Sequence, residues 1–372
     1  MNIVIDLIRK GNEHHVFNFE TIKVLAELEL ESVFYLDKDS SAIEVVKKNQ
    51  CLNKVSVKKN KFYFWILSSV FLLKIFYLYR KAEGKFILLS ATPLQYYICT
   101  LVSRFYRLDI IIFMHGELGY ISCQQGIGQR LGKFFISRSF NTVSSVKFVA
   151  LSEYIYRKLS DVYRKANFTF IEHPLQEIDR MRKGCNNNPT LTIGSFGVHS
   201  KEKNSDEIYT LAKLLSMQMH FNLNIMTIGV SNGTFEFDKH PNVKHVCRGF
   251  LNQSLTPKEE FMAQVQHLDF ALFFNGADHK YDLVPSGVFA DCIALELPII
   301  SLTNPKVEYF FQTYGDVGIL CKDINDMAIQ VEKLLSSSSE KTNFINTIKN
   351  IKQKFTCEAY RNDLYRALYA KN

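Results

Sequence analysis

No CxxC pair occurs in the chain. Its 8 cysteines are scattered from Cys51 to Cys357, a pattern that argues against a structural zinc site. They read as reduced thiols of a cytosolic protein, and Cys292, inside an apolar run, reads as a small core residue. No zinc finger, helix-turn-helix or RRM signature is found, so nucleic acid is not an expected partner. No repeat of fixed period is visible either. The opening MNIVIDLIRKGNEHH is not expected to be a signal peptide. Its apolar stretch is short and is broken by Asp6, Arg9 and Lys10, and it reads as a first β-strand. What is present fits a globular protein of two or three domains, with 372 residues and 47% hydrophobic content. The formal charge of +8 is modest, and suits either contact with an anionic partner such as a lipid surface or simple solubility.

Continuous apolar runs alternate with helical patterns. In the first half, strands are expected at 2–8, 32–36, 86–89, 109–114 and 146–151. Helices are expected at 18–30, 93–106 and from 152 through about 164. In the second half, strands are expected at 191–196, 223–229, 243–246, 270–274 and 298–302, with helices at 206–215, at 257–267 and from Ser286-Gly287. Apolar strands without alternation, separated by helices, imply parallel sheets covered on both faces. The polar stretch Gln176–Asn188 marks a linker. The fold class is therefore α/β, with two Rossmann-like parallel-sheet domains facing a cleft at the carboxyl ends of their strands. Phe62–Tyr79 is almost wholly apolar and is flanked by Lys58, Lys59, Lys61, Arg80 and Lys81. It reads as a buried helix or as an amphipathic helix pressed into a membrane interface. A true span is disfavoured, because the strands on either side belong to one sheet.

Two features point to a diphosphate. Ser286-Gly287, with Val288 behind it, opens a helix whose first backbone N–H groups are free and carry the positive end of the dipole. Asp291, one turn on, is placed to accept hydrogen bonds from a ribose. Ile193–Lys203 is a strand running into a loop with Gly194, Gly197, Lys201 and Lys203. Its glycines allow close backbone approach, and either lysine can neutralise a phosphate. Arg248-Gly249-Phe250-Leu251 follows a short strand, where backbone can pair with a base edge. In the first half, His115-Gly116-Glu117 ends a central strand, and either His115 or Glu117 can take a proton from an acceptor hydroxyl. Gly11, Asn12, Glu13 and His14 follow the first strand and can turn under a ligand. The alternatives at these positions are ordinary: a solvated turn at Lys201–Lys203, a core hydrogen bond at His115, and capping at Asn12 or Glu117. His173-Pro174 is expected to fix the path of the linker.

The order of these pieces resembles the GT-B glycosyltransferases, and more narrowly the bacterial enzymes that build surface polysaccharides. The matching stretches are Ile193–Lys203, Gly249–Leu251, Ser286–Ile300 and Ile171–Leu175, with a closing helix at Thr356–Tyr369. The resemblance implies an acceptor-binding domain at 1–174, a linker at 175–189, a nucleotide-sugar-binding domain at 190–350, and a terminal helix at 351–372 crossing back onto the first domain. It implies a nucleoside-diphosphate sugar as donor, a UDP-sugar first among them, with no cofactor and no metal. The acceptor implied is a glycan or a lipid-linked glycan at the inner face of the cytoplasmic membrane, with peripheral contact to anionic lipid.

The chain departs from the retaining members at one point. Many carry two glutamates separated by seven residues near this helix. Here Asp291 stands at the second position and Leu283 at the first, beside Asp282. Retention is therefore not carried over, and the base stays open between His115 and Glu117. Two other readings share the scaffold: a sugar-nucleotide epimerase, and a nucleotide-sugar-binding protein without turnover.

Overall fold

A computed structural model describes residues 1–8, 15–27, 31–57, 61–122, 126–175, 190–217, 222–251, 256–276, 281–336 and 339–370. The chain divides into two compact units. The first comprises Met1–Pro174, Asp282–Pro285 and Thr356–Asn372. The second comprises Leu175–Tyr281 and Ser286–Phe355.

Seven parallel strands form the sheet of the first unit: β1 (Asn2–Asp6), β2 (Ser32–Asp37), β3 (Cys51–Val55), β4 (Lys85–Leu88), β5 (Asp109–Met114), β6 (Lys147–Ala150) and β7 (Asn167–Phe170). They lie in the order β3-β2-β1-β4-β5-β6-β7. The order reverses between β1 and β4, which makes that central pair the switch point where such sheets open to ligands. β1 and β5 are almost wholly buried, as expected of strands covered on both faces. One carboxylate closes the end of β1. Asp6 is fully buried and accepts hydrogen bonds from Ser90 Oγ at 2.6 Å, from Asn18 Nδ2 at 2.7 Å and from the Ile8 N–H at 3.2 Å. Because Ser90 follows β4, Asp6 ties the two strand ends of the switch point together.

Helix termini here follow their side-chain chemistry. Thr92 caps the helix Pro93–Tyr106 in a reciprocal box with Gln95, with Pro93 at the first helical position. The closing helix Cys357–Tyr369 buries Tyr360, Leu364, Ala367 and Leu368 in the same core as Val4, Phe17, Phe34 and Val149. Tyr360 and Thr21 share a hydroxyl hydrogen bond of 2.6 Å, and Asn2 Nδ2 donates to the Tyr369 hydroxyl at 2.8 Å.

The second unit has six parallel strands: β8 (Leu191–His199), β9 (Leu223–Ser231), β10 (Val243–Val246), β11 (Phe270–Phe273), β12 (Ile299–Leu302) and β13 (Gly318–Cys321). Their order is β10-β9-β8-β11-β12-β13. The switch point falls between β8 and β11. One face of this sheet packs through Ala271, Ile293 and Ile299, the other through Ile193, Ile208 and Phe270.

The apolar segment expected at Phe62–Tyr79 is the helix Lys61–Tyr79, and it is not a buried helix. One face, with Ser68, Ser69, Leu72, Ile75 and Phe76, is buried, while a second stripe of large apolar residues faces outward. Among the described residues, no helix is long and apolar enough to cross a membrane. The strands and helices of the sequence reading otherwise recur with shifts of a few residues at their ends, as fraying termini allow. The helix expected at 18–30 is His15–Glu27, and the edge strand β3 carried no apolar run to announce it.

Candidate functional site

In the second unit the candidate diphosphate features converge at the switch point. β8 and β9 run side by side to the pair Gly197–Gly229. Both glycines have positive φ, +100° and +127°. A methyl group at Gly229 would lie 2.1 Å from the Gly197 carbonyl oxygen, so the two backbones meet with no room for a side chain. A methyl at Gly197 would lie 3.3 Å from Val288 Cγ2. The end of β8 therefore rests on the first turn of the helix Gly287–Ala294, although about ninety residues separate them in the chain. Ser286 occupies the N-cap position in extended conformation and makes no side-chain cap. At Gly287 an added methyl would meet nothing within 4 Å. The first N–H groups of this helix thus carry no side-chain cap and open beside a residue with free space in front of it.

The loop after β8 is tightly built. The Ser200 N–H donates to Ser205 Oγ at 3.0 Å, and Asn204 Nδ2 reaches the Phe274 carbonyl at 3.2 Å, tying this loop to the end of β11. Lys203 is the more buried of the two lysines. Its Nζ donates to the Val198 carbonyl at 2.9 Å and stands 5.7 Å from the centre of the Tyr281 ring. Burial holds its pKa below the usual lysine value. Lys201 has an exposed side chain, and its N–H donates to Thr234 Oγ1 at 3.0 Å. Between them Glu202 is held below the usual carboxylate range, first by backbone N–H donation and then by Ser200, Asn232 and Thr234. His199 is buried, and burial pushes it down to about 4, with Lys203 adding to the effect. It is therefore neutral at physiological pH.

Gly249–Leu251 lies along the end of β9. Ser231 N–H donates to the Gly249 carbonyl at 2.9 Å, and the Leu251 N–H donates to the Ser231 carbonyl at 3.0 Å. Phe250 and Leu251 stay half exposed. Arg248 is turned away into an ion pair with Asp238, at 2.7 Å. Asp291 sits in the second turn of the helix Gly287–Ala294 and is partly exposed. At the other family position, Asp282 belongs to the first unit, where its carboxylate accepts from the Tyr154 hydroxyl at 2.5 Å and lies 3.9 Å from Lys158 Nζ.

The first unit holds a separate pocket of about 450 Å³ at its own switch point. Ala91 and Thr92 line it from beyond β4, Gly116 and Glu117 from beyond β5, and Trp65 and Tyr120 from two helices. The Trp65 and Tyr120 rings meet edge-on, with centroids 5.8 Å apart. The structure separates the two residues considered as a base. His115 is 1% exposed, packs its ring against Phe17, and donates from Nε2 to the Leu89 carbonyl at 2.8 Å. It does not line the pocket, and its ring is held among core groups. Glu117 does line the pocket. Its Oε1 accepts from the Tyr96 hydroxyl at 2.6 Å and from the His115 N–H at 2.8 Å, which fixes the carboxylate in place. Tyr96 and the pocket residues Trp65, Thr92 and Gln129 were not singled out in the sequence. Only the Thr-Pro-x-Gln capping signal at Thr92 would have marked one of them.

His173, partly buried near the chain's exit from the first unit, donates from Nδ1 to its neighbour's carbonyl, Pro174, at 3.0 Å. Gly11, Asn12, Glu13 and His14 lie outside the described residues, as do all residues of the expected linker 175–189 except Leu175. Among the described residues no group of three His, Cys, Asp or Glu is arranged to hold a metal ion.

No protein-family model matches the chain, and no curated protein does. Solved structures match it over its whole length. It is similar to Anabaena HepE, solved in complex with UDP and glucose, with a TM-score of 0.65 at 10% identity, covering 100% of this chain and 99% of that one. It is similar to WaaG, a glycosyltransferase involved in lipopolysaccharide biosynthesis, with a TM-score of 0.66 at 12% identity and complete coverage of both chains. The sucrose-phosphate synthase of Thermosynechococcus elongatus gives 0.69 at 12% identity, over 99% of this chain and 98% of its own. At such identities the fold is what is shared. The chain has the GT-B architecture of two Rossmann-like parallel-sheet units.

Proposed function

We propose that this chain is a glycosyltransferase that moves a sugar from a nucleoside-diphosphate sugar, a UDP-sugar first among them, to a glycan or lipid-linked glycan of a bacterial surface polysaccharide. The observation that carries the reading is the contact of Gly197 with Val288. It supports the reading because a glycine strand end, followed in the chain by Lys201 and Lys203, meets a helix start without a side-chain cap. That is the chemistry a diphosphate requires: backbone donors, a helix dipole and nearby cations. The fold shared with glycosyltransferases, one of them solved with UDP and glucose, supports the same reading.

In this mechanism the N–H groups at Gly287 and Val288, with Lys201 and Lys203, stabilise the diphosphate as charge develops on the leaving group. Asp291 accepts from the ribose hydroxyls. The backbone of Gly249–Leu251 pairs with the base, and the Phe250 side chain covers it. Arg248 acts indirectly, through its ion pair with Asp238. In the first unit Glu117 accepts the proton of the acceptor hydroxyl, oriented by Tyr96 and the His115 N–H. His115 serves by holding that turn and not by taking the proton. Gly11, Asn12, Glu13 and His14 complete the acceptor side. The transfer is metal-independent, the leaving charge being met by protein donors, and the protein works in the cytoplasm at the inner membrane face.

A thermal-shift panel of nucleoside diphosphates and their sugars tests the reading. A melting temperature raised by one diphosphate and its sugar, followed by sugar transfer to extracted lipid-linked glycans, supports it. No shift with any nucleotide overturns it. Consumption of the sugar nucleotide by isomerisation, without acceptor, reassigns the site to an epimerase.

A further inference from the structure

The helix Lys61–Tyr79 is apolar on its outer face as well as its inner one. Leu72, Ile75 and Phe76 are buried together with Ser68 and Ser69, and the Ser68 hydroxyl is absorbed by the Phe64 carbonyl at 2.7 Å. Tyr63, Ile66, Leu67, Val70, Leu73 and Tyr77 are instead between 41% and 69% exposed. Their spacing of three and four residues places them on one stripe, about 20 Å long at 1.5 Å per residue. A contiguous apolar face of this size on a soluble domain marks an interaction surface.

Charge identifies what covers it. Between Val45 and Ala82 the chain has nine basic residues and no acidic one, so this stretch alone outweighs the formal +8 of the whole protein. Lys74 stands exposed beside the stripe, and exposed Arg80 and Lys81 follow its end. Arg80 lies 3.9 Å over the Tyr77 ring. Apolar residues in the middle, tyrosines toward both ends and cations around them match the layers of an anionic bilayer surface: acyl chains, interface and phosphates. A second copy of the same basic face would meet like charge. The helix also has an inner duty, since Phe64 and Trp65 wall the pocket that holds Glu117.

We propose that the outward stripe of the Lys61–Tyr79 helix docks on an anionic membrane, holding the Trp65–Glu117 pocket within about one helix diameter, roughly 10 Å, of the lipid head groups. The acceptor is then one whose sugar is displayed at that surface by a lipid anchor. This last step rests on the transferase reading; the docking surface does not.

The test is sedimentation with phosphatidylcholine vesicles, with and without phosphatidylglycerol, for the wild-type full chain, Ile66→Glu/Val70→Glu and Lys74→Glu. Both altered apolar residues are exposed, so the variants are expected to fold, which an unchanged melting temperature verifies. The wild type should bind vesicles containing phosphatidylglycerol, more weakly in high salt. The double variant should lose at least about tenfold in vesicle affinity, and Lys74→Glu a smaller part. Failure of the wild type to bind, or equal binding by the double variant, overturns the proposal. So does a wild-type dimer, seen by light scattering, that the double variant dissociates without any vesicle binding. A thermal shift with the panel of nucleoside diphosphates is read on the same samples. Vesicle binding without that shift upholds the docking surface and removes the transferase reading, whereas the shift without vesicle binding does the opposite.

Discussion

Replacing Gly229 by alanine should damage the second unit severely, and the size of the damage follows from two contacts. Gly229 has φ +127°, a region that side chains rarely enter, and backbone strain of this kind costs about 1–3 kcal/mol. The added methyl would also lie 2.1 Å from the Gly197 oxygen and 3.0 Å from the Gly197 carbon. Both are backbone atoms of a central strand that cannot rotate away, so β8 and β9 must part locally, at a further cost of about 1–3 kcal/mol. The sum, about 4 kcal/mol, corresponds to a fall of roughly 10 °C in the melting temperature of a unit this size. Gly233→Ala is the control. Gly233 also has positive φ, +95°, but nothing lies within 4 Å of its added methyl, so it bears the backbone strain alone. Differential scanning calorimetry of the two variants should show Gly229→Ala melting well below Gly233→Ala. Equal melting of the two would mean that Gly197 and Gly229 do not meet as described, and the geometry of the diphosphate site would go with them.

Other consequences are as direct. Because burial lowers His199 to about 4 while the unfolded value is near 6.5, the unfolded chain binds the proton that the folded chain refuses. Stability is thus unaffected above about pH 6.5 and falls as pH drops from there toward 4, by at most about 3 kcal/mol. Urea unfolding at neutral and mildly acidic pH should show this slope reduced in His199→Phe, and a parallel slope in both proteins would count against it. Glu117→Gln keeps an oxygen for Tyr96 and for the His115 N–H, so the fold should hold while transfer to acceptor falls by about 100-fold or more; activity near wild type would remove Glu117 as the base. Leu364→Ala empties a fully buried position in the first unit's core and should cost about 3 kcal/mol in urea unfolding. A cost below about 1 kcal/mol would contradict the packing of the closing helix.

Much of the fold was legible because parallel strands buried on both faces are written as unbroken apolar runs. Ile110–Met114 and Ile299–Leu302 can be read without knowing their neighbours. The helix start at Ser286-Gly287 was legible for a similar reason, since its signal is local. What escaped reading depends on distant partners. β3 is a half-exposed edge strand, so Cys51–Val55 shows no apolar pattern. Asp6 looks like a break in an apolar strand until Ser90 and Asn18 are seen to satisfy it. Gly229 is an ordinary glycine until Gly197 is found 2.1 Å from its missing methyl. His115 and Glu117 look equally fit as bases in the sequence, and only burial separates them. The Lys61–Tyr79 helix could not be assigned because apolar residues occupy all its sides. Which side faces out depends on the partners that bury Leu72, Ile75 and Phe76, and these lie elsewhere in the chain.

Binding of UDP to the wild-type protein and to Gly287→Glu, followed by titration calorimetry, tests the donor site most directly. A side chain at Gly287 has open space, and a carboxylate in the first turn suits the helix dipole, so the variant should melt no lower than wild type. The wild type should bind UDP at one saturable site. The variant should bind at least about tenfold more weakly, a loss of about 1.4 kcal/mol or more, because its carboxylate repels the diphosphate from the same N–H groups. A wild-type protein that binds neither UDP nor any other nucleoside diphosphate, or a variant that binds equally well, would contradict a diphosphate site at this helix start.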